Sequence, residues 1–420
     1  MLLKLLIPSA LLAAGTYLGT TAFAEAENAS KEPSSKAQSH LISEGTLGAT
    51  EGMAEKEMAE EMAEEMADDY PSPAQTATRS VADDSSTIRD PLFSNLILPL
   101  PPLLLPDLLM PPYDFPSFNS QRLDEELQIY SRYLRTYGTP DVLIVGSSRS
   151  LQGIDPLALQ EGLEAQGYSG VKVFNFGING ATAQVIDVLL REVLEEEHLP
   201  QLIIWGDGLR AFNDGRPDLT YREIVASEGY QRLQQGDRPI VSRAFPDEPI
   251  LTASTAQSIV TSTLTESVQQ TISADLDMYG FQAIPDRFDP ATYYTRYPRV
   301  AGSFDSDYAP FSLGQEQTAA TIAVAEFARS RSIPLVIVNL PLTHDYLDAT
   351  RQTYERQFVN HMQQLAQQHA FTFINLHQYS DLMQNQYFAD PSHINQHGAR
   401  AVGLHLAGDS NVPWGRVKNP

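Results

Sequence analysis

Residues Asp141–Ser150 read DVLIVGSSRS. Val142-Leu143-Ile144-Val145 is an unbroken aliphatic run, and three of its four side chains are β-branched, which favours extended backbone. A strand that is apolar on both faces is buried on both faces, as in a parallel sheet. Gly146-Ser147-Ser148 follows at once. A Gly-Ser-Ser turn at the carboxyl end of a buried strand puts a hydroxyl at the rim of the sheet. If a helix starts there, its free N–H groups point at whatever that hydroxyl attacks. The same residues also suit an ordinary strand-to-helix turn with a Ser cap.

The pattern of the first run recurs downstream. Val171–Phe174 (VKVF), Leu202–Trp205 (LIIW), Leu335–Asn339 (LVIVN) and Phe371–Asn375 (FTFIN) are further short aliphatic runs. Amphipathic helical stretches lie between them, at about 155–166, 182–197, 314–331, 348–369 and 396–406. Another helix precedes the first run, capped by Asn119 or Ser120 and carrying Leu123, Leu127, Tyr130, Leu134 and Tyr137. Strand alternating with helix predicts a three-layer α/β/α domain over 118–412, with a parallel sheet of about five strands. Residues 207–310 break the rhythm. A structureless loop of that length is improbable, so the stretch reads as an insertion after strand three. It would lie over the strand ends, where ligands bind in such sheets.

The N-terminal part differs in kind. Residues 1–24 (MLLKLLIPSALLAAGTYLGTTAFA) carry Lys4, an apolar run and Ala22-Phe23-Ala24, the plan of a secretory signal peptide. The expectation is an exported, periplasmic or secreted chain, with an uncleaved membrane anchor as the alternative. Residues 25–92 hold 16 Asp and Glu against 5 Lys and Arg and almost no large aliphatics. Such an acidic low-complexity tail buries too little apolar surface to offset its chain entropy. Met58, Met62 and Met66 within it form a stripe on a helix, read as a partner-binding face or as a transient solvated helix. Residues 93–117 are rich in Leu and Pro, which predicts an extended linker. A partner protein of the cell envelope would be met through the tail or the insertion.

The 420 residues carry a formal net charge of −25. That surplus excludes a basic footprint for nucleic acid and disfavours an anionic membrane surface. The absence of Cys excludes disulfides, a thiol nucleophile and thiolate metal sites.

Two further turns carry chemical groups. Asn175-Phe176-Gly177-Ile178-Asn179-Gly180 crowds the end of the second run. A glycine lets a backbone N–H approach a ligand closely, so Gly180 and Asn179 can build an oxyanion site beside Ser148. A plain Gly-Asn turn is the alternative. Near the C-terminus stands Asp390-Pro391-Ser392-His393. A carboxylate three residues before an imidazole can orient the ring and leave its other nitrogen to take a proton from a serine. Ser148 is preferred to Ser147 because the second residue after Gly146 is better placed to start the helix and lend its own N–H. A metal reading of His393, His397 and His405 also exists, without a local carboxylate pattern suited to zinc.

Together these blocks resemble the SGNH (GDSL-type) hydrolase superfamily over about residues 141–407. The Gly-Ser-Ser-Arg form looks most like its exported branch of polysaccharide O-acetylation proteins, D-alanine transfer proteins and uncharacterised cyanobacterial relatives. The resemblance implies Ser148 as nucleophile, His393 as base, Asp390 as its orienting acid, and the N–H groups of Ser148 and Gly180 as oxyanion donors. It implies a serine acyl esterase or O-acyltransferase acting on an acylated carbohydrate or other small acyl ester, with no cofactor and no metal. One block departs from the pattern. After strand three the family has Gly-x-Asn-Asp, whereas this chain reads Gly206-Asp207-Gly208, with Asn213-Asp214 several residues late. Asn213 or Asn179 would then have to substitute, and Arg149 and Arg210 are the basic residues available to offset Asp207 or hold an anionic substrate. A non-catalytic scaffold of the same fold is the alternative function.

The tail reading has a direct consequence. A chain that starts at residue 93 should keep the melting temperature of the full-length protein, and thermal unfolding followed by circular dichroism checks it. A large drop would show that the acidic segment belongs to the folded unit.

Overall fold

A computed structural model of the chain describes residues 113–240 and 275–417. The readings of residues 1–24 and 25–92, of most of 93–117, and of the helical piece Thr252–Ser273 lie outside these residues. Among the described residues no helix is long and apolar enough to cross a membrane.

The elements in chain order are α1 (Gln121–Tyr137), β1 (Val142–Gly146), α2 (Ser148–Gly153), α3 (Pro156–Ala165), β2 (Val173–Gly177), α4 (Ala183–Val188) and β3 (Leu202–Asp207). Then follow α5 (Leu219–Ala226), α6 (Glu228–Gln234), α7 (Pro290–Tyr293), α8 (Glu316–Ser330), β4 (Leu335–Asn339), α9 (Ala349–His369), β5 (Thr372–Asn375) and α10 (Gln396–Gly408). The five strands form one sheet in the order β2-β1-β3-β4-β5, and every pairing is parallel. This is the α/β architecture that the alternating pattern predicts.

The near-continuous aliphatic runs are explained by two cores, one on each face. Leu143, Val145, Ile203, Trp205, Leu335 and Ile337 point into one core, while Val142, Ile144, Leu202, Ile204, Val336 and Val338 point into the other. Successive side chains of a strand face opposite sides, so both sets must be apolar. Helix ends follow the local chemistry. Ser120 caps α1, with its hydroxyl accepting from Leu123 N–H, and Asp155 caps α3.

Several element boundaries shift from the sequence pattern, most of all at β2. β2 runs three residues further, through Asn175-Phe176-Gly177, because Phe174 and Phe176 alternate into the first core and the ladder to β1 continues to Gly146↔Gly177. The turn therefore starts only at Ile178, whose N–H donates to Gly146 carbonyl at 2.9 Å. The described parts of 207–310 join the main cores: Ile224, Leu233 and Tyr308 enter one, Phe281 and Phe288 the other.

Gly146 is the position where the chain leaves the sheet. Its φ is +146°, and a Cβ there would stand 2.1 Å from the carbonyl oxygen of Gly206 on the neighbouring strand. Gly177, its partner on the other side, faces the backbone of Leu151 at 2.6 Å in the same way. Bare backbone on both strands lets the short helix α2 lie hard against the sheet edge. Gly146→Ala should therefore destabilise the fold by roughly 2–5 kcal/mol, combining backbone strain with overpacking. Urea unfolding measures this, and a loss below about 0.5 kcal/mol would mean the turn is not tightly packed.

Candidate active site

The turn after β1 is held on both sides of Ser148. Ser147 is the N-cap of α2, its Oγ accepting from Arg149 N–H at 3.3 Å. Ser147 N–H donates to Asp207 Oδ2 at 2.8 Å, and its hydroxyl donates to Oδ1 at 3.0 Å. Asp207, the last residue of β3, is buried and also accepts from Gly208 N–H. Burial pushes its carboxyl above the usual range, and the Arg149 guanidinium and the hydrogen bonds only partly offset this. Ser148 opens α2 and is half-buried. Its Oγ lies 3.0 Å from His393 Nε2.

His393 stands in the turn between β5 and α10. Its Nδ1 is 2.7 Å from Asp390 Oδ2. Asp390 Oδ1 accepts from the N–H groups of Ser392 and His393 at 2.7 and 2.8 Å. Burial raises the Asp390 carboxyl, but the facing imidazole and these N–H donors outweigh it and hold the group at about 2. The turn itself is fixed from three sides. Phe388 and Ile394 form a bridge, and Ala389 N–H donates to His393 carbonyl at 2.9 Å. Thr343, beyond β4, donates its N–H and hydroxyl to Pro391 carbonyl at 3.3 and 2.8 Å. Asn395 has no exposed surface. Its amide donates to the carbonyls of Asp286, Gln386 and Phe388, and its oxygen caps α10 through His397 and Gly398 N–H.

The turn after β2 holds Asn179 and Gly180. Gly180 has φ +69°, and neither its N–H nor that of Ser148 has a hydrogen-bond partner among the described residues. Asn179 is exposed and its amide is likewise without one. Asn213 differs from the expectation of an oxyanion donor. It is buried, both amide hydrogens go to carbonyls, of Asp307 (3.1 Å) and Pro310 (3.2 Å), and its oxygen accepts from Gly215 and Ser312. Asn175 is similarly committed, donating to the carbonyls of Ser150 and Ile154 and so pinning α2 to β2.

Neither arginine offers a free guanidinium to a substrate. Arg149 is 2% exposed and donates to the carbonyls of Leu340 and Pro341. Arg210 pairs with Asp307 at 2.9 Å, and Arg216 takes the other Asp307 oxygen at 2.5 Å. The three histidines of the metal reading have separate partners. His397 Nε2 accepts from Arg287 at 3.3 Å, and His405 packs edge-on against Tyr379 with ring centroids 4.3 Å apart. An open cleft of about 590 Å³ is lined by His344, Asp345, Met383, Gln384, Asn385 and Gln386.

Of the residues the sequence singles out, the structure brings Ser148, His393 and Asp390 into one hydrogen-bonded line; the sequence reading missed Asp207 as the partner of Ser147, and missed Thr343 and Asn395. Only Asn395 carried a local signal, an Asn before a helical stretch.

No protein-family model matches this chain, and no curated protein does. Among solved structures, the chain is similar to the acetyl xylan esterase AlAXEase at 12% identity and TM-score 0.32, covering 63% of this chain and 97% of that one. It is similar to a catalytic mutant of Axe2, an acetylxylan esterase from Geobacillus stearothermophilus, at 15% identity and TM-score 0.31, covering 64% and 95%. The psychrotrophic esterase EstA from Pseudoalteromonas sp. is similar at 13% identity and TM-score 0.29, covering 63% and 94%.

Proposed function

We propose that this protein is an exported serine acyl esterase or O-acyltransferase of the SGNH type. The observation that carries the reading is the unbroken line from Ser148 Oγ to His393 Nε2 (3.0 Å) and from His393 Nδ1 to Asp390 Oδ2 (2.7 Å). His393 takes the proton of Ser148 as its oxygen bonds to the acyl carbon. The developing oxyanion is received by the N–H groups of Ser148 and Gly180. His393 returns the proton to the departing alkoxide, which leaves an acyl-serine. A water, or a sugar hydroxyl in transfer, then gives its proton to His393 and frees Ser148. Asp390 keeps the ring in the tautomer that bears its hydrogen on Nδ1. The carbohydrate acceptor and the export rest on the motif resemblance and the N-terminal segment.

Ser148→Ala and His393→Ala should each lower turnover of an aryl acetate by about 1000-fold or more, and the double variant should be within about tenfold of either. Ser147→Ala removes a cap worth about 1 kcal/mol but leaves labelling by a fluorophosphonate intact. Turnover in Ser148→Ala together with its loss in Ser147→Ala would move the nucleophile. A folded wild type that neither turns over nor labels would favour the non-catalytic scaffold.

The charge on Asp390 yields a second test. Its folded value of about 2 lies below the ordinary 3.8, so its stabilisation is complete above the ordinary value and is lost as pH falls toward the folded one. Between pH 3.8 and about 2, wild type should therefore lose more unfolding free energy than Asp390→Asn. Equal losses in denaturant titrations would show that the carboxylate is not held by the imidazole.

A further inference from the structure

Three consecutive residues meet different constraints. Ser147 is held by Asp207 through its N–H and its hydroxyl. Ser148 bonds only to His393 through its hydroxyl. Arg149 is buried and reaches across the ends of β3 and β4. Its Nη2 donates to Leu340 carbonyl at 2.6 Å and Pro341 carbonyl at 3.0 Å. The rest of the guanidinium fills the side-chain space of residue 208, where a Cβ would stand 1.8 Å from Nη1. Its Nε has no partner. A guanidinium enclosed this way is costly unless its charge is opposed; burial and the nearby Arg210 disfavour that charge, and the carboxylates of Asp207 and Glu355 offset this only in part.

The far end of the same span holds the base. Leu340 N–H donates to Asp207 carbonyl at 2.7 Å, which extends the β3–β4 ladder by one step. Three residues on, Thr343 grips Pro391 within the Asp390–His393 turn. Residues 340–343 therefore run from the clamp on the serine turn to the clamp on the histidine turn.

We propose that Arg149 is a positioning residue for Ser148, and that the span Leu340–Thr343 it grips sets the distance between nucleophile and base. The inference rests on the serine acyl-transfer reading. Arg149 does not touch the substrate, since its two acceptors are protein carbonyls and it is almost wholly enclosed. Its loss therefore acts on the geometry of reaction and not on binding. A misplacement of about 1 Å at a reacting pair costs on the order of 100-fold in rate.

The test measures aryl acetate kinetics and fluorophosphonate labelling rates on the full chain, with thermal melts as controls. Arg149→Met should lower kcat by about 100-fold with KM within about threefold, and Arg149→Lys should recover part of it. Gly208→Ala, which keeps the arginine but blocks its seat, should be similarly impaired. In an Arg149→Ala background the same Gly208→Ala change should cost less than about threefold more, because the space is then empty. Thr343→Val, at the uncharged end of the span, should lower kcat about tenfold with KM unchanged even if the arginine variants fail to fold. A raised KM with unchanged kcat in Arg149→Met would make it a substrate contact and overturn the proposal. Full activity in both Gly208→Ala and Thr343→Val would also overturn it, with the serine mechanism untouched. An unlabelled wild type would overturn mechanism and proposal together.

Discussion

The contact between Ser148 Oγ and His393 Nε2 joins residues 245 apart in the chain, and the polar interior of the molecule is arranged around holding it. Each side sits on a turn, and turns have little intrinsic preference for one geometry. The sheet supplies the common frame. β1 delivers the serine to its carboxyl edge, and the chain after β5 brings the histidine back to that edge. Fine adjustment then falls to buried polar groups: Asp207 under Ser147, Asn175 under α2, and Asn395 under the histidine turn. Each such hydrogen bond adds only about 1 kcal/mol net, but leaving one unmade inside the protein costs more. Such groups narrow the number of acceptable arrangements more than they raise total stability.

The parts of this arrangement that depend on local order were legible in the sequence. Aliphatic runs of four or five residues between amphipathic stretches gave the strands, because burial on both faces leaves no room for polar residues. Ser148 stood out in the turn directly after β1, and Asp390 and His393 stood out by their spacing of three in a Pro-containing loop before α10. What escaped was pairing across the sheet. Whether Asp207 faces the oxyanion or Ser147 depends on the register between β1 and β3, and no spacing within either strand encodes it. Asn213 misled for the same reason. Its place near the expected Asn suggested a donor, yet its amide closes a loop with residues almost a hundred positions later. Phe176 lengthened β2 because an aromatic side chain found a place in the core, which the turn-like composition of Asn175–Gly180 concealed.

The excursion between β3 and α8 returns to its own beginning. Asn213 and Asp214 bind Asp307, Pro310, Ser312, Gln315 and Gln317. Arg351 on α9 grips Val300 carbonyl and Asp305 from the other side and stacks 3.9 Å from the Tyr346 ring. Burial raises the Asp307 carboxyl, but Arg210, Arg216 and the His393 imidazole together hold it below the usual range. The inserted chain is thus tied back to the end of β3 and to α9 by hydrogen bonds and ion pairs.

The triplet Ser147-Ser148-Arg149 separates scaffold from chemistry at the resolution of single atoms. The outer two residues carry the anchoring bonds, while the middle hydroxyl carries none that the fold requires. Replacing the middle residue by alanine therefore removes one oxygen and none of the bonds that fasten this turn to β3 and to the chain beyond β4.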